Sequence, residues 1–285
     1  GYLYIVKIFN SLQLIAVFLR SIIKLVLFCS TLFVLFIPFI IFRLLNINFY
    51  RDIPRYFHLL FLRILNIKIK LVGEIYTNKP GLLVSNHASW IDISILSSLA
   101  NISFIAKSEV AKWPLFGFLA KMQDTLFIER KAIKAIKQKN EIKTILSKGK
   151  RLVLFPEGTS SDGNRVLKFK SSLFSVAEKE PDVKDAYSIQ AVTICYKGIN
   201  GLPMSRSERP YLSWWGDMGL LGHLWKMLSF RSADIIVIAH QPIVDEINRK
   251  ILSDIAWKQV AYGLGLAMSG RARPLKQNDT AFEVL

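Results

Sequence analysis

Hydrophobic positions dominate the start of this chain and then settle into a repeating alternation. From Leu25 to Phe42 no residue is charged, and Lys24 and Arg43 bracket the run. That length is near the minimum for crossing a bilayer. The stretch before it, 3–23, is also apolar but carries Lys7 and Arg20. Two arrangements suit this pattern: a single spanning helix, or a two-helix hairpin entering one leaflet with Pro38 bending its second arm. A cleaved signal peptide is disfavoured, because no small-residue cleavage site follows the apolar run. Positive residues lie on both sides, so charge does not orient the segment. Next, Arg51, Arg55 and Arg63 interleave with Tyr56, Phe57, Leu59, Leu60, Phe61 and Ile64. This spacing predicts an amphipathic helix, either at headgroup level or packed on the domain.

Beyond residue 65 short apolar runs alternate with helical patterns. Strands are expected at 68–72, 82–85, 103–106, 125–128, 152–155, 190–195 and 234–239, and helices at 91–99, 132–146, 171–178 and 253–266. Strands separated by helices predict an α/β fold with a mixed, mostly parallel sheet flanked by helices. The expected division is a membrane-anchoring helical region over 1–64, an α/β domain over 65–273 and a polar tail over 274–285 that frays. No internal repeat is present.

Composition sharpens this picture. The chain is 52% hydrophobic yet carries a net charge of +17. Greasy and basic together point to a membrane surface, where anionic headgroups attract Lys and Arg while apolar side chains enter the interface. An acidic carrier protein would also suit the charge. The Lys-rich stretch Lys131, Lys134, Lys137, Lys139, Lys143, Lys148 and Lys150 is either such a docking face or a solvated helix surface. Nucleic acid is disfavoured, since no zinc spacing, aromatic RNA-binding signature or helix-turn-helix is found. Cys29 and Cys195 have no metal-ligand neighbours and read as small buried hydrophobes. His58, His223 and His240 have no partner in the local sequence. Trp214, Trp215 and Trp225 suit the membrane interface, an acyl pocket or plain core packing.

Three boxes carry candidate chemistry. Asn86-His87-Ala88-Ser89-Trp90-Ile91-Asp92 follows the run 82–84. A spacing of five does not place His87 and Asp92 on one helical face. The pair meets only if the His leaves a strand and the Asp folds back from the first turn of the next helix. The carboxylate then orients the imidazole and stabilises the imidazolium, which makes a general base. Phe155-Pro156-Glu157-Gly158-Thr159-Ser160 turns at another strand end, where α/β folds bind ligands, and is expected to expose Glu157. Lys107-Ser108-Glu109, Pro114, Gly117 and Phe127-Ile128-Glu129-Arg130 form the remaining box, second in chain order, which makes the Phe155 box the third. Arg130 at a strand end suits an anion or a carbonyl oxygen, or an ion pair with Glu129.

In this order and spacing the boxes resemble those of the phospholipid and glycerol acyltransferase family, over about 73–195. Asn86, His87 and Asp92 match its first motif; Lys107, Glu109, Pro114, Gly117, Phe127, Ile128 and Arg130 its second; Phe155, Pro156, Glu157, Gly158 and Thr159 its third. Gln190-Ala191-Val192 falls where a Val-Pro pair is usual. The resemblance implies transfer of a fatty acyl group from a coenzyme A or acyl-carrier-protein thioester to a lysolipid hydroxyl. His87 and Asp92 are the implied catalytic pair. Asn86, Lys107, Arg130, Glu157, Gly158, Thr159, Ser160, Arg165 and Lys170 are the implied substrate contacts. No metal or resident cofactor is implied. The expected acceptor is 1-acyl-sn-glycerol-3-phosphate, giving phosphatidic acid, at a bacterial inner membrane with the catalytic domain in the cytoplasm.

Two departures qualify that acceptor. Ser160 stands where the family often has Arg, a residue linked to phosphate recognition, and Phe169-Lys170-Ser171-Ser172 replaces Phe-Lys-x-Gly. The run 159–165 and the segments Trp214-Trp215-Gly216-Asp217-Met218 and 220–225 look like the branch that acylates lyso-ornithine lipid. A lipid-binding protein that keeps the fold without catalysis is the alternative from another class; an intact His87–Asp92 pair argues against it.

Overall fold

The computed structural model describes residues 2–77, 79–129, 140–142, 144–146, 148–177, 188–244 and 248–276. Helix α1 (Tyr2–Leu44) leads through a short 3-10 turn to α2 (Ile53–Leu65). Then follow β1 (Ile67–Val72), β2 (Gly81–Ser85), α3 (Ile91–Leu99), β3 (Ser103–Lys107), α4 (Phe116–Met122), β4 (Leu126–Ile128) and β5 (Arg151–Leu154). The chain continues with β6 (Ser188–Ile199), β7 (Leu202–Pro203), α5 (Leu220–Ser229), β8 (Ala233–Ala239) and α6 (Arg249–Met268). The sheet order is β1-β8-β6-β2-β5-β3-β4, with β7 paired to the end of β6.

The sheet is mixed, as the sequence predicts. Strands β6, β2, β5, β3 and β4 run parallel, while β8 is antiparallel to β6 and parallel to β1. Strand β2 is buried along its whole length, which explains its uninterrupted Leu-Leu-Val run. One core cluster packs α2 and α3 on one side of the sheet, and a second packs α6 on the other. The five parallel strands end at a common edge, which carries the first, second and third boxes. Such edges are where α/β sheets place their ligands.

Several expectations are corrected. The N-terminal apolar region is one continuous helix through Pro38 rather than a hairpin. By length and composition, 10–44 suffices to cross a bilayer. Two of its charged residues, Arg20 and Lys24, nevertheless dock on the α/β domain. Arg20 donates to Ser229 O at 3.0 Å, and buried Lys24 donates to Leu65 O at 3.1 Å and Phe230 O at 2.8 Å. Those carbonyls end α2 and α5, where orphan acceptors and the helix dipole both favour a cation. Phe28 packs on Phe57 and Phe61, and Phe36 on Phe118. Cys29 is exposed on this helix; only Cys195 is buried. The helix expected over 171–178 is a 3-10 helix, Ser171–Ala177. Of 132–146, residues 140–142 and 144–146 are helical and the others lie outside the described residues, as do Lys131, Lys134, Lys137, Lys139 and Lys143. The start of the tail does not fray: Leu275 is buried, its N–H donates to His240 Nδ1 at 3.1 Å and its carbonyl accepts from Gln241 N at 2.9 Å.

Candidate active site

His87 leaves β2 on a turn, and Asp92 sits in the first turn of α3, the junction that the spacing of five requires. His87 Nδ1 lies 2.9 Å from Asp92 Oδ2. The same oxygen accepts from Ala88 N at 2.8 Å and Ser89 N at 2.9 Å. Tyr196 donates its hydroxyl to Asp92 Oδ1 at 2.6 Å. A fully buried carboxylate needs such a donor set to offset lost hydration. Asp92 only accepts, so Nδ1 carries the ring proton and Nε2 keeps a free lone pair. The His87 side chain is 19% exposed, which leaves that nitrogen reachable from the cleft. The imidazole stacks on Phe155 at 4.2 Å with 19° between the rings.

The third box braces the first. Ser161 N donates to His87 O at 2.8 Å, and Lys170 N donates to Pro156 O at 2.9 Å, closing the intervening loop on itself. Gly158 holds φ +71°, a conformation that glycine adopts without strain. Glu157 is not exposed as expected. It is 2% accessible, and its oxygens accept from His87 N at 3.0 Å and Leu167 N at 3.3 Å. Through the first of these bonds it braces the His87 turn. Asn86 is buried as well: it donates to Ile194 O at 2.9 Å and accepts from Ile194 N at 2.8 Å, tying the turn to β6. Ser160 donates its hydroxyl to Trp214 O, and Trp214 N donates to Ala88 O at 2.8 Å. The segment around Trp214 is thereby laid against the His87 turn, and Trp214 meets Trp113 edge-on at 5.9 Å.

Thr159, Arg165 and Lys170 are exposed on this loop, and Lys107 is exposed at the C-terminal end of β3 on the same edge. Arg130 lies outside the described residues. His58, His223 and His240 have structural partners: Ser94 and Gln123, Trp90, and Thr193 with the Leu275 N–H. Burial lowers His58 to about 4 and His240 to about 3, which suits neutral, hydrogen-bonded rings.

An apolar cavity of about 180 Å³ opens beside this centre, between α1, α2, α3 and α4. Phe28, Leu32 and Phe36 of α1 form one wall, with Trp90, Phe104 and Phe116 among the residues opposite. Phe104 in its wall stacks on Phe155, which stacks on His87, so two aromatic rings link the cavity to the imidazole. Trp90 and Trp113 line it, whereas Trp215 and Trp225 lie outside its lining. A base with a free nitrogen beside an apolar slot can deprotonate a hydroxyl attached to a long hydrocarbon.

Residues 66–197 match the family model described as Acyltransferase. A lyso-ornithine lipid O-acyltransferase of Brucella abortus is 41% identical over 245 residues, covering 84% of this chain and 91% of that protein. The chain belongs to the acyltransferase family. This acyltransferase is also 32% identical over 157 residues to a 1-acyl-sn-glycerol-3-phosphate acyltransferase of Neisseria gonorrhoeae, covering 55% of this chain and 57% of that one. Its fold matches the crystal structure of the 1-acyl-sn-glycerophosphate acyltransferase PlsC from Thermotoga maritima with a TM-score of 0.58, 20% identity, and coverage of 86% and 95% of the two chains.

The cluster around His87 contains one residue that the sequence did not reveal, Tyr196. Burial, then the neighbouring Asp92 carboxylate, push its phenol well above the ordinary value, so it remains a donor. Tyr196→Phe removes a hydrogen bond to a charged acceptor and should cost about 1.5–3 kcal/mol in denaturant unfolding. We expect kcat to fall about tenfold, equivalent to about 1.4 kcal/mol, with KM nearly unchanged.

Glu157 gives a second test. Burial pushes its carboxyl up to about 8, against the downward pull of the His87 and Leu167 N–H groups. Its folded value exceeds the ordinary carboxylate value, so between the two the folded state binds more protons. Stability from this group therefore falls as pH rises from about 4.5 to about 8. Glu157→Gln, which carries no titrating proton, should flatten that slope in thermal melts taken across the range. Glu157→Ala leaves the His87 N–H unpaired and should lower activity more than Glu157→Gln does.

Proposed function

We propose that this acyltransferase moves a fatty acyl group from a thioester of coenzyme A or acyl-carrier protein to the free hydroxyl of a lysolipid, with His87 as general base. The carrying observation is the His87–Asp92 pair, with Nε2 free, beside the apolar cavity. His87 Nε2 takes the hydroxyl proton as the oxygen attacks the thioester carbonyl. Asp92 holds the imidazolium through Nδ1–H. The tetrahedral intermediate then expels the thiolate, which recovers the proton from Nε2. The ester C–O bond forms, the C–S bond breaks, and the base is regenerated without an acyl-enzyme. The cavity walled by α1 holds one hydrocarbon chain during transfer. The exposed apolar residues of α1, such as Leu14, Phe33 and Val34, support membrane association. We place the enzyme at a cytoplasmic membrane, with the catalytic domain on the cytoplasmic side.

The proposed acceptor is lyso-ornithine lipid. The relative from Brucella abortus supports it across nearly its whole length, whereas the glycerophosphate-acylating relative from Neisseria gonorrhoeae aligns over little more than half. The Ser160 contact supports it too. At the position where an Arg is linked to phosphate recognition, a hydroxyl is turned inward to hold the Trp214 segment. A second reading, 1-acyl-sn-glycerol-3-phosphate, is favoured by the exposed cations Lys107, Arg165 and Lys170. The test offers purified enzyme one labelled acyl thioester with each acceptor in parallel. We expect labelled ornithine lipid. Phosphatidic acid as the only product would overturn the proposed acceptor and assign those cations to a phosphate.

A further inference from the structure

A second pocket, of about 200 Å³, lies at the opposite edge of the sheet from His87. Arg151 opens β5, Ser103 opens β3 and Asp124 precedes β4, so this pocket sits at strand beginnings and the reaction centre at strand ends. Five cationic side chains line it: Arg51, Arg55, Lys148, Lys150 and Arg151. Among the described lining residues the one carboxylate is Asp124, bound by Lys150 at 2.8 Å. The remaining cations have few protein acceptors. Arg55 Nε donates to Ser98 O at 3.2 Å and Arg51 Nε to Tyr50 OH at 3.3 Å; Arg151 donates through one terminal nitrogen to Thr77 O, while its Nε is buried without an acceptor. Concentrating like charge in one concavity costs stability unless an anion offsets it.

The chain entering this pocket indicates the source of the anion. Leu44, Leu45, Ile47 and Phe49 are exposed apolar residues at the end of α1, and Tyr50 and Arg51 follow them directly into the pocket wall. The apolar belt of α1 thus ends where the basic pocket begins. A lipid has the same succession, hydrocarbon and then phosphate. We infer that this pocket holds the phosphate of an anionic membrane phospholipid, which fixes the enzyme on the bilayer at a second point, remote from the reaction. Arginine supplies forked donors for the phosphate oxygens and lysine supplies mobile charge.

The experiment measures binding of the full chain to phosphatidylcholine vesicles with and without phosphatidylglycerol, by co-sedimentation. Arg51→Glu with Lys148→Glu changes two exposed side chains, and circular dichroism melts verify folding. Lys68→Glu with Lys70→Glu, on exposed positions of β1 outside the pocket, makes the same change in net charge. Wild-type protein and the β1 variant should bind phosphatidylglycerol vesicles roughly tenfold or more tightly than the pocket variant, at about 1 kcal/mol for each basic residue near the surface. All three should bind phosphatidylcholine vesicles alike, through the apolar belt. Equal loss in both variants would overturn the site in favour of diffuse charge. Pocket-dependent thermal stabilisation by inorganic phosphate, without a pocket-dependent vesicle increment, would overturn the lipid in favour of a free phosphate.

Discussion

Replacing His87 by alanine is expected to lower the acyl-transfer rate by about 100- to 10,000-fold, the range for removing a general base. Binding to lipid vesicles should be unchanged, because the apolar belt of α1 and the cavity wall do not depend on the imidazole. Those two readouts separate a lost base from a damaged surface. The ring has one ordered job in the structure: Nδ1 on Asp92 and one face on Phe155 leave Nε2 for the acceptor. Its loss should therefore appear in kcat and in kcat/KM alike. A variant that kept wild-type turnover would remove His87 from the mechanism.

Asp92→Asn should be comparably damaging for a different reason. Asp92 Oδ2 meets three N–H donors, from His87, Ala88 and Ser89, and Oδ1 meets the Tyr196 hydroxyl. An asparagine must point its NH2 group at one of those sets. Turned towards the backbone, it opposes three donors and breaks the His87 turn. Turned towards Tyr196, it faces a hydroxyl that can rotate to accept, while its carbonyl still orients the ring without charge to stabilise the imidazolium. The second arrangement keeps the fold and loses rate. We expect kcat to fall about 100-fold or more and stability to fall about 1–3 kcal/mol. Kinetics and denaturant unfolding on the same preparation check both numbers.

The reaction centre was legible where its geometry is local. His87 and Asp92 are linked by a strand-turn-helix junction that the Leu-Leu-Val run and the spacing of five already imply, and the third box lies at the end of β5 as its Pro and Gly require. The supporting residues were not legible, because their partners are remote in sequence. Tyr196 is 104 residues from Asp92, and Glu157 is 70 from the His87 N–H that it accepts. Motif position alone therefore suggested an exposed Glu157, which is buried. Arg20 and Lys24 looked like interruptions of an apolar anchor, and only the tertiary fold shows the helix ends that they cap. Helix α5 carried a readable signal. Leu220, Leu224, Met227 and Leu228 recur at helical spacing, although Gly219 and Gly222 punctuate the pattern.

The most direct measurement follows both halves of the proposed reaction in one tube. Purified enzyme in detergent receives a thioester labelled in its acyl group, with lyso-ornithine lipid or with an analogue lacking the acceptor hydroxyl. Direct transfer with His87 as base predicts labelled diacyl lipid and free thiol in equal amounts, only when the hydroxyl is present, and no label retained on the protein. Thiol released at the same rate with the deoxy analogue, or label left covalently on the chain, would contradict it.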